Sequence, residues 1–139
     1  LILDLPPGTG DIQLTIVQTA ELDGVVVVTT PQEVALIDAR KAIGLFERVE
    51  TPILGIIENM SYFQCPSDGK IYHIFGEGGG EREAAKLGVP LLGKIPLDIS
   101  TRSGGDEGRP VALEDPGQNP VSAAFRQVAE QCARVVLDR

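Results

Sequence analysis

In Leu1-Ile2-Leu3-Asp4-Leu5-Pro6-Pro7-Gly8-Thr9-Gly10-Asp11, three branched apolar residues run into an aspartate, then a proline pair, then two glycines that bracket a threonine. The pattern suits a buried strand over residues 1–4 whose last residue, Asp4, holds a metal-bound water. Behind it comes a loop whose backbone can approach a phosphate. Pro6 and Pro7 fix φ and lack N–H groups, which stiffens that loop. Gly8 and Gly10 carry no Cβ to keep a ligand away. Asp11 falls where a helix N-cap is expected, ahead of Ile12, Leu14, Ile16 and Val17. The same residues also make an ordinary strand–turn–helix junction. Position favours the functional reading, because α/β proteins bind ligands at the carboxyl ends of parallel strands.

Working outward, the strand-then-helix pattern repeats. A helix is expected over about 12–21, then the β-branched run Val25-Val26-Val27-Val28-Thr29-Thr30, which lacks polar alternation and reads as a parallel strand covered on both faces. Pro31 stops it. In the next helix Leu36, Ala39, Ile43 and Phe46 form an apolar stripe, with Asp38, Arg40, Lys41, Glu47 and Arg48 off it. Residues 53–57 and 90–95 are further strand candidates, separated by a long loop at 60–76 and a short helix at about 80–87 that Gly88 ends. Residues 99–118 read as a connection punctuated by Gly and Pro. Asn119-Pro120 opens the last helix, whose stripe is Val121, Phe125, Val128, Cys132 and Val135. Strand–helix alternation implies a parallel sheet with helices on both faces. The four strand ends then place Asp4, Thr29-Thr30-Pro31, Glu58-Asn59 and Pro96-Leu97-Asp98 on one edge.

Bulk properties narrow the classes. The 139 residues fit one domain with a real core, and a net charge of −8 argues against nucleic-acid partners and against simple docking on an anionic membrane. No apolar run nears the roughly 18–20 residues that a membrane span needs. Two distant cysteines do not make a disulfide framework, so a cytoplasmic setting is expected. The chain starts inside a strand pattern without Met, and reads as the C-terminal part of a larger domain.

Five stretches, D-L-P-P-G-T-G-D (4–11), T-T-P-Q-E-V-A-L-I-D-A-R-K (29–41), G-I-I-E-N-M-S-Y-F-Q-C-P (55–66), I-F-G-E-G-G-G-E (74–81) and I-P-L-D (95–98), resemble the Mrp/ApbC family of iron–sulfur cluster carriers, which are MinD-like P-loop ATPases. The resemblance covers nearly the whole chain, and E-N-M-S-Y-F-x-C-P is its most specific part. It implies a P-loop NTPase fold of which residues 1–139 are the C-terminal portion, without the first strand and the P-loop. It implies ATP with Mg²⁺ as cofactors. Asp4 looks like the Walker-B aspartate that holds Mg²⁺ through water, and Gly8 like the switch residue whose N–H meets the γ-phosphate. Thr9 and Asp11 would help orient the attacking water. Asn59 matches the residue that reads the adenine edge, and Pro96 and Asp98 the second wall of the base pocket.

Cys65 matches the first cysteine of the family's C-P-x-C cluster motif, which makes 60–76 the candidate cluster and dimer loop. The second cysteine of the motif is here Asp68. A symmetric homodimer would thus supply two of the usual four cluster thiolates. The implied function is Mg-dependent ATP hydrolysis coupled to delivery of clusters from assembly scaffolds to apo iron–sulfur proteins. This chain alone is expected to be inactive and to bind nucleotide weakly. The alternatives are a nucleotide-regulated scaffold, or a MinD/ParA-like ATPase, with no cluster in either case.

Other features have plainer readings. Gly88-Val-Pro-Leu-Leu-Gly93-Lys94 imitates P-loop spacing, but it lies within a strand and Ile95 replaces the required hydroxyl. Cys132 lies on a core stripe, His73 reads as a loop residue, and Gly76 to Gly80 as a hinge. The last helix mixes Arg126, Arg134 and Arg139 with Glu130 and Asp138, which suits core packing rather than a membrane surface.

Overall fold

The computed structural model describes residues 1–6 and 10–138. Helix α1 (Asp11–Thr19) leads to strand β1 (Val25–Thr29), helix α2 (Glu33–Arg48) and strand β2 (Ile53–Glu58). A two-stranded hairpin, β3 (Phe63–Gln64) and β4 (Ile71–Tyr72), precedes α3 (Gly79–Leu87) and β5 (Leu91–Lys94). Helix α4 (Ile99–Asp106), a 3-10 turn (Val111–Leu113) and α5 (Pro120–Leu137) complete the chain.

The main sheet is parallel, in the order β1-β2-β5. Residues in β2 alternate between two cores, as the period of two requires. Ile56 joins Val27, Ala39, Ile43 and Ala84 under α2 and α3, while Ile57 joins Leu92, Ile95 and Val128 under α5. The stripe expected in α2 is its buried set, Leu36, Ala39, Ile43 and Phe46. In α5 the Asn119 carboxamide accepts the N–H groups of Val121 and Ser122, with Pro120 in the first turn. Phe125, Cys132 and Val135 pack against the α5-side core. Close approach sets where glycine is needed: a Cβ on Gly93 would stand 2.5 Å from the Val128 side chain. The sheet with helices on both faces is therefore the expected α/β architecture.

Three expectations need correction. Residues 1–4 form no strand; Leu1, Ile2 and Leu3 are exposed and lie outside both sheets. An apolar run records a preference for burial, whereas a strand exists only where a partner completes its ladder. Residues 99–118 are not all connection: Asp98 accepts the Thr101 N–H and so starts α4 despite the poor helix propensity of Ser-Gly-Gly. The loop at 60–76 contains the β3–β4 hairpin. The P-loop look-alike is a decoy in fact. Gly88 is the left-handed C-cap of α3, and Lys94 sits in β5 with its Nζ 3.0 Å from Glu81.

Candidate functional site

The carboxyl edge of the sheet is built from three strand ends. The Asn59 N–H donates to the Thr29 carbonyl at 2.7 Å, and the Ile95 N–H to the Glu58 carbonyl at 2.9 Å, so the ends stay in register beyond the strands. Asn59 then turns sharply. Its Oδ1 accepts the Met60 N–H at 2.9 Å, Met60 takes φ +52°, and the Ser61 N–H reaches the Ile95 carbonyl at 3.0 Å. A left-handed non-glycine residue stays in place only where its surroundings over-determine it.

From that turn the chain enters the hairpin. Phe63 pairs with Tyr72 and Gln64 with Ile71, and the base is stitched to the 95–98 segment by the Leu97 N–H to the Tyr62 carbonyl at 2.8 Å. The tip is Cys65-Pro66-Ser67-Asp68-Gly69-Lys70, closed by Cys65 N–H to Lys70 carbonyl (2.9 Å) and Gly69 N–H to Cys65 carbonyl (2.8 Å). Gly69 has φ +70°, which explains a glycine there.

Cys65 is half-buried, with Sγ 3.0 Å from the Ser67 hydroxyl. That hydroxyl, helped by the N–H groups of Ser67 and Asp68, holds the thiol below its ordinary range. A lowered thiol favours the thiolate, the form that binds metal and attacks electrophiles. Asp68 accepts the Lys70 N–H at 2.9 Å and the Tyr72 hydroxyl at 3.1 Å, and both bonds keep its carboxyl low. Cys132 behaves oppositely: burial pushes its thiol up.

Pro96 and Asp98 line a cavity of about 350 Å³ together with Tyr62, Cys65 and Pro120. The structure thus brings the expected base-pocket wall and the expected cluster cysteine to one hollow. Asp98 is also the α4 cap: Oδ2 accepts the Thr101 N–H at 2.8 Å, its hydroxyl at 3.1 Å and the Ser100 hydroxyl, and its carboxyl is held low against the opposing effect of burial. Asn59 is not among the residues lining this cavity.

The opening stretch stands apart. Asp4 is exposed and ends no strand, which corrects its expected place at the sheet edge. Asp11 is the first residue of α1 rather than its cap, which is Gly10. Gly8 and Thr9 lie outside the described residues. Among the described residues no group of three or more His, Cys, Asp or Glu converges to hold a metal ion.

The sequence pattern places Glu58 at the sheet edge but assigns it no role. It is 0 % exposed at the end of the central strand, yet its Oε1 accepts the Ser61 hydroxyl at 2.5 Å and its Oε2 the Gly80 N–H at 2.6 Å. The only signal for it was an acid ending an otherwise apolar strand.

Comparison with known proteins decides the family. Residues 1–133 match the ParA family model, described as NUBPL iron-transfer P-loop NTPase. The chain belongs to this family. An iron-sulfur cluster carrier protein from Pyrococcus furiosus is 50 % identical over 131 residues, which are 94 % of this chain and 44 % of that protein. The chain thus spans less than half the length of that relative. Among solved structures, an Archaeoglobus fulgidus nucleotide-binding protein in complex with ADP aligns with a TM-score of 0.66 and 44 % identity, covering 76 % of this chain and 43 % of that one. The Pyrococcus furiosus cell division ATPase MinD aligns with a TM-score of 0.61 and 26 % identity over 81 % of this chain and 43 % of that one. The iron-transfer P-loop NTPase family is thus shown by sequence, and the two solved structures share the architecture. Among the described residues no helix is long and apolar enough to cross a membrane.

Proposed function

We propose that the chain is the cargo-handling part of a P-loop iron–sulfur cluster carrier, with Cys65 as the residue that holds the cluster. The observation that carries this reading is the hairpin tip, which presents an accessible thiol lowered by the Ser67 hydroxyl beside a low carboxylate, Asp68. The relatives named as iron-sulfur cluster carriers support it. One thiolate per chain supplies one of the usual four ligands of a cluster; a bridge between two copies supplies two, and the two Asp68 carboxylates stand at the motif spacing of the other two. Ile71, Tyr72 and Ile74 expose apolar surface beside the tip and suit a homodimer contact. The recipients are apo iron–sulfur proteins, supplied through cluster-assembly scaffolds, in the cytoplasm.

Nucleotide enters through the same edge. Asn59 reads the base, and Pro96 and Asp98 form a wall of its pocket. The ADP complex of the Archaeoglobus relative supports this part. Asp4, Gly8, Thr9 and Asp11 belong to the phosphate end, where ATP hydrolysis in the whole protein takes place. With Asp4 away from the sheet edge, this chain alone binds ATP weakly; a sub-micromolar affinity by calorimetry would contradict that.

Anaerobic incubation with iron and sulfide, followed by visible absorption, tests the cluster role. Wild type should develop the charge-transfer bands of a cluster and Cys65→Ser should not. Equal spectra remove Cys65 from the site. A second reading, a nucleotide-regulated scaffold without cargo, is favoured by one observation: Asp68 is already engaged by Lys70 and Tyr72 within its own turn. No bound iron in wild type would select it.

A further inference from the structure

Glu58 is a buried acid that neither the cluster nor the nucleotide reading uses. Among the described residues its hydrogen-bond donors are two neutral groups, the Ser61 hydroxyl and the Gly80 N–H. Leaving a buried carboxyl oxygen without a donor is costly, so these two contacts are effectively obligatory. They tie together three elements: the end of β2, the root of the hairpin and the first turn of α3.

The geometry at Ser61 shows what the first contact does. Glu58 and Ser61 bracket Asn59 and Met60, and Met60 is left-handed at φ +52°. The Glu58–Ser61 bond closes a ring over that turn, and the Ser61 N–H bond to Ile95 fixes its far side. Within the ring the Asn59 Oδ1 accepts the Met60 N–H, which uses one of its acceptor sites and orients the carboxamide that carries the Nδ2 donors. The second contact replaces a helix cap. The N-cap residue of α3 is Gly78, which has no side chain, and the Glu58 carboxylate takes the Gly80 N–H in its place. A Cβ on Gly80 would stand 3.1 Å from Glu58, so a glycine there permits this approach. The glycine run at 76–80 is thus closed by the protein's own carboxylate rather than left as a free hinge.

We propose that Glu58 is a positioning residue for Asn59. Through Ser61 it holds Met60 left-handed and so fixes the Asn59 carboxamide at the ligand edge, and through Gly80 it locks α3 to the same corner. The ligand this favours is a heterocycle that offers a ring-nitrogen or carbonyl acceptor to the Asn59 Nδ2 donors. The inference rests on the reading of Asn59 as a base-facing residue.

The test is NMR on the ¹⁵N-labelled 139-residue chain, free and with AMP as the probe. Ser61→Ala should move the Asn59 side-chain amide resonances, because the turn loses its tie. In a Met60→Gly background the same Ser61→Ala change should leave them in place, because glycine takes positive φ without being held. Glu58→Ala should speed Gly80 amide exchange about tenfold or more, and Ser61→Ala should not. In wild type AMP should shift the Asn59 side-chain signals, and less so in Ser61→Ala. Asn59 resonances that ignore Ser61→Ala, or that move equally in the Met60→Gly background, overturn the proposal. Should Glu58→Ala fail to fold, Ser61→Ala and the Met60→Gly pair still decide it. If AMP shifts nothing in wild type, the base-facing reading falls, while the ligand-free spectra still report whether Glu58 sets the turn.

Discussion

The α2 face of the sheet and the corner from Asn59 to Gly80 both grow from strand β2, yet they are held by different physics. Under α2, side chains at helical spacing meet β-branched strand residues, and burial of apolar surface does the work. At the corner few apolar groups are buried. The chain is fixed by a carboxylate, by backbone bonds between non-regular segments and by left-handed residues at Met60, Gly69 and Gly78. The first region tolerates no loss of volume. The second tolerates no loss of a particular donor or acceptor.

That contrast can be broken by measurement. Leu36, 2 % exposed on the α2 stripe, should cost about 3 kcal/mol of global stability when changed to Ala, read by chemical denaturation. A loss under about 1 kcal/mol would mean that the core collapses around the gap.

Between these extremes lies the clasp of α2 on α3, where Arg40 makes a two-pronged ion pair with buried Glu83, Nη2 to Oε1 at 2.6 Å and Nε to Oε2 at 3.0 Å. Arg40 pulls the Glu83 carboxyl down to about 2 from 4.5. A depressed folded-state pKa contributes stability that is present above the unfolded value near 4.5 and is lost as pH falls toward 2. Arg40→Ala should lower the melting temperature at pH 7 and flatten the acid limb between those values. An unchanged acid limb would assign the clasp no role in folding.

At the hairpin tip the effects should be smaller and local. Gly69→Ala, at φ +70°, should cost about 1 kcal/mol, confined to exchange of the Cys65–Lys70 amides. Cys65→Ser should change global stability by less than about 0.5 kcal/mol while abolishing cargo binding, which separates function from fold. A large stability loss in Cys65→Ser would make that residue part of the framework instead.

The two regions also differ in how legibly they are written. The α2 stripe, the Asn119-Pro120 start of α5 and the Gly88 stop of α3 could be read locally, because periodicity and caps depend on residues within a turn or two. The decoy at Gly88–Lys94 could be dismissed the same way. Glu58 could not be read, since its partner Gly80 is 22 residues on and no local pattern announces the bond. Helix α4 was hidden because Ser-Thr-Arg-Ser-Gly-Gly has little propensity, and Asp98 with the close approach of Gly104 to the Arg109 carbonyl makes it possible. Residues 1–4 differ for the opposite reason, as their strong local pattern meets no ladder partner among the described residues. Of the site residues, Cys65, Pro96 and Asp98 meet at one cavity, Asn59 stands at the turn after β2 outside its lining, and Asp4 ends no strand.

The central claim is that Cys65 holds a cluster between two copies of the chain. Native mass spectrometry of the anaerobically reconstituted protein reads both parts of that claim at once. Wild type and Cys132→Ser should each appear as a dimer carrying the mass of one iron–sulfur cluster, and Cys65→Ser should carry none. A cluster of equal occupancy on Cys65→Ser, or a wild-type chain that takes up no iron, would contradict the account.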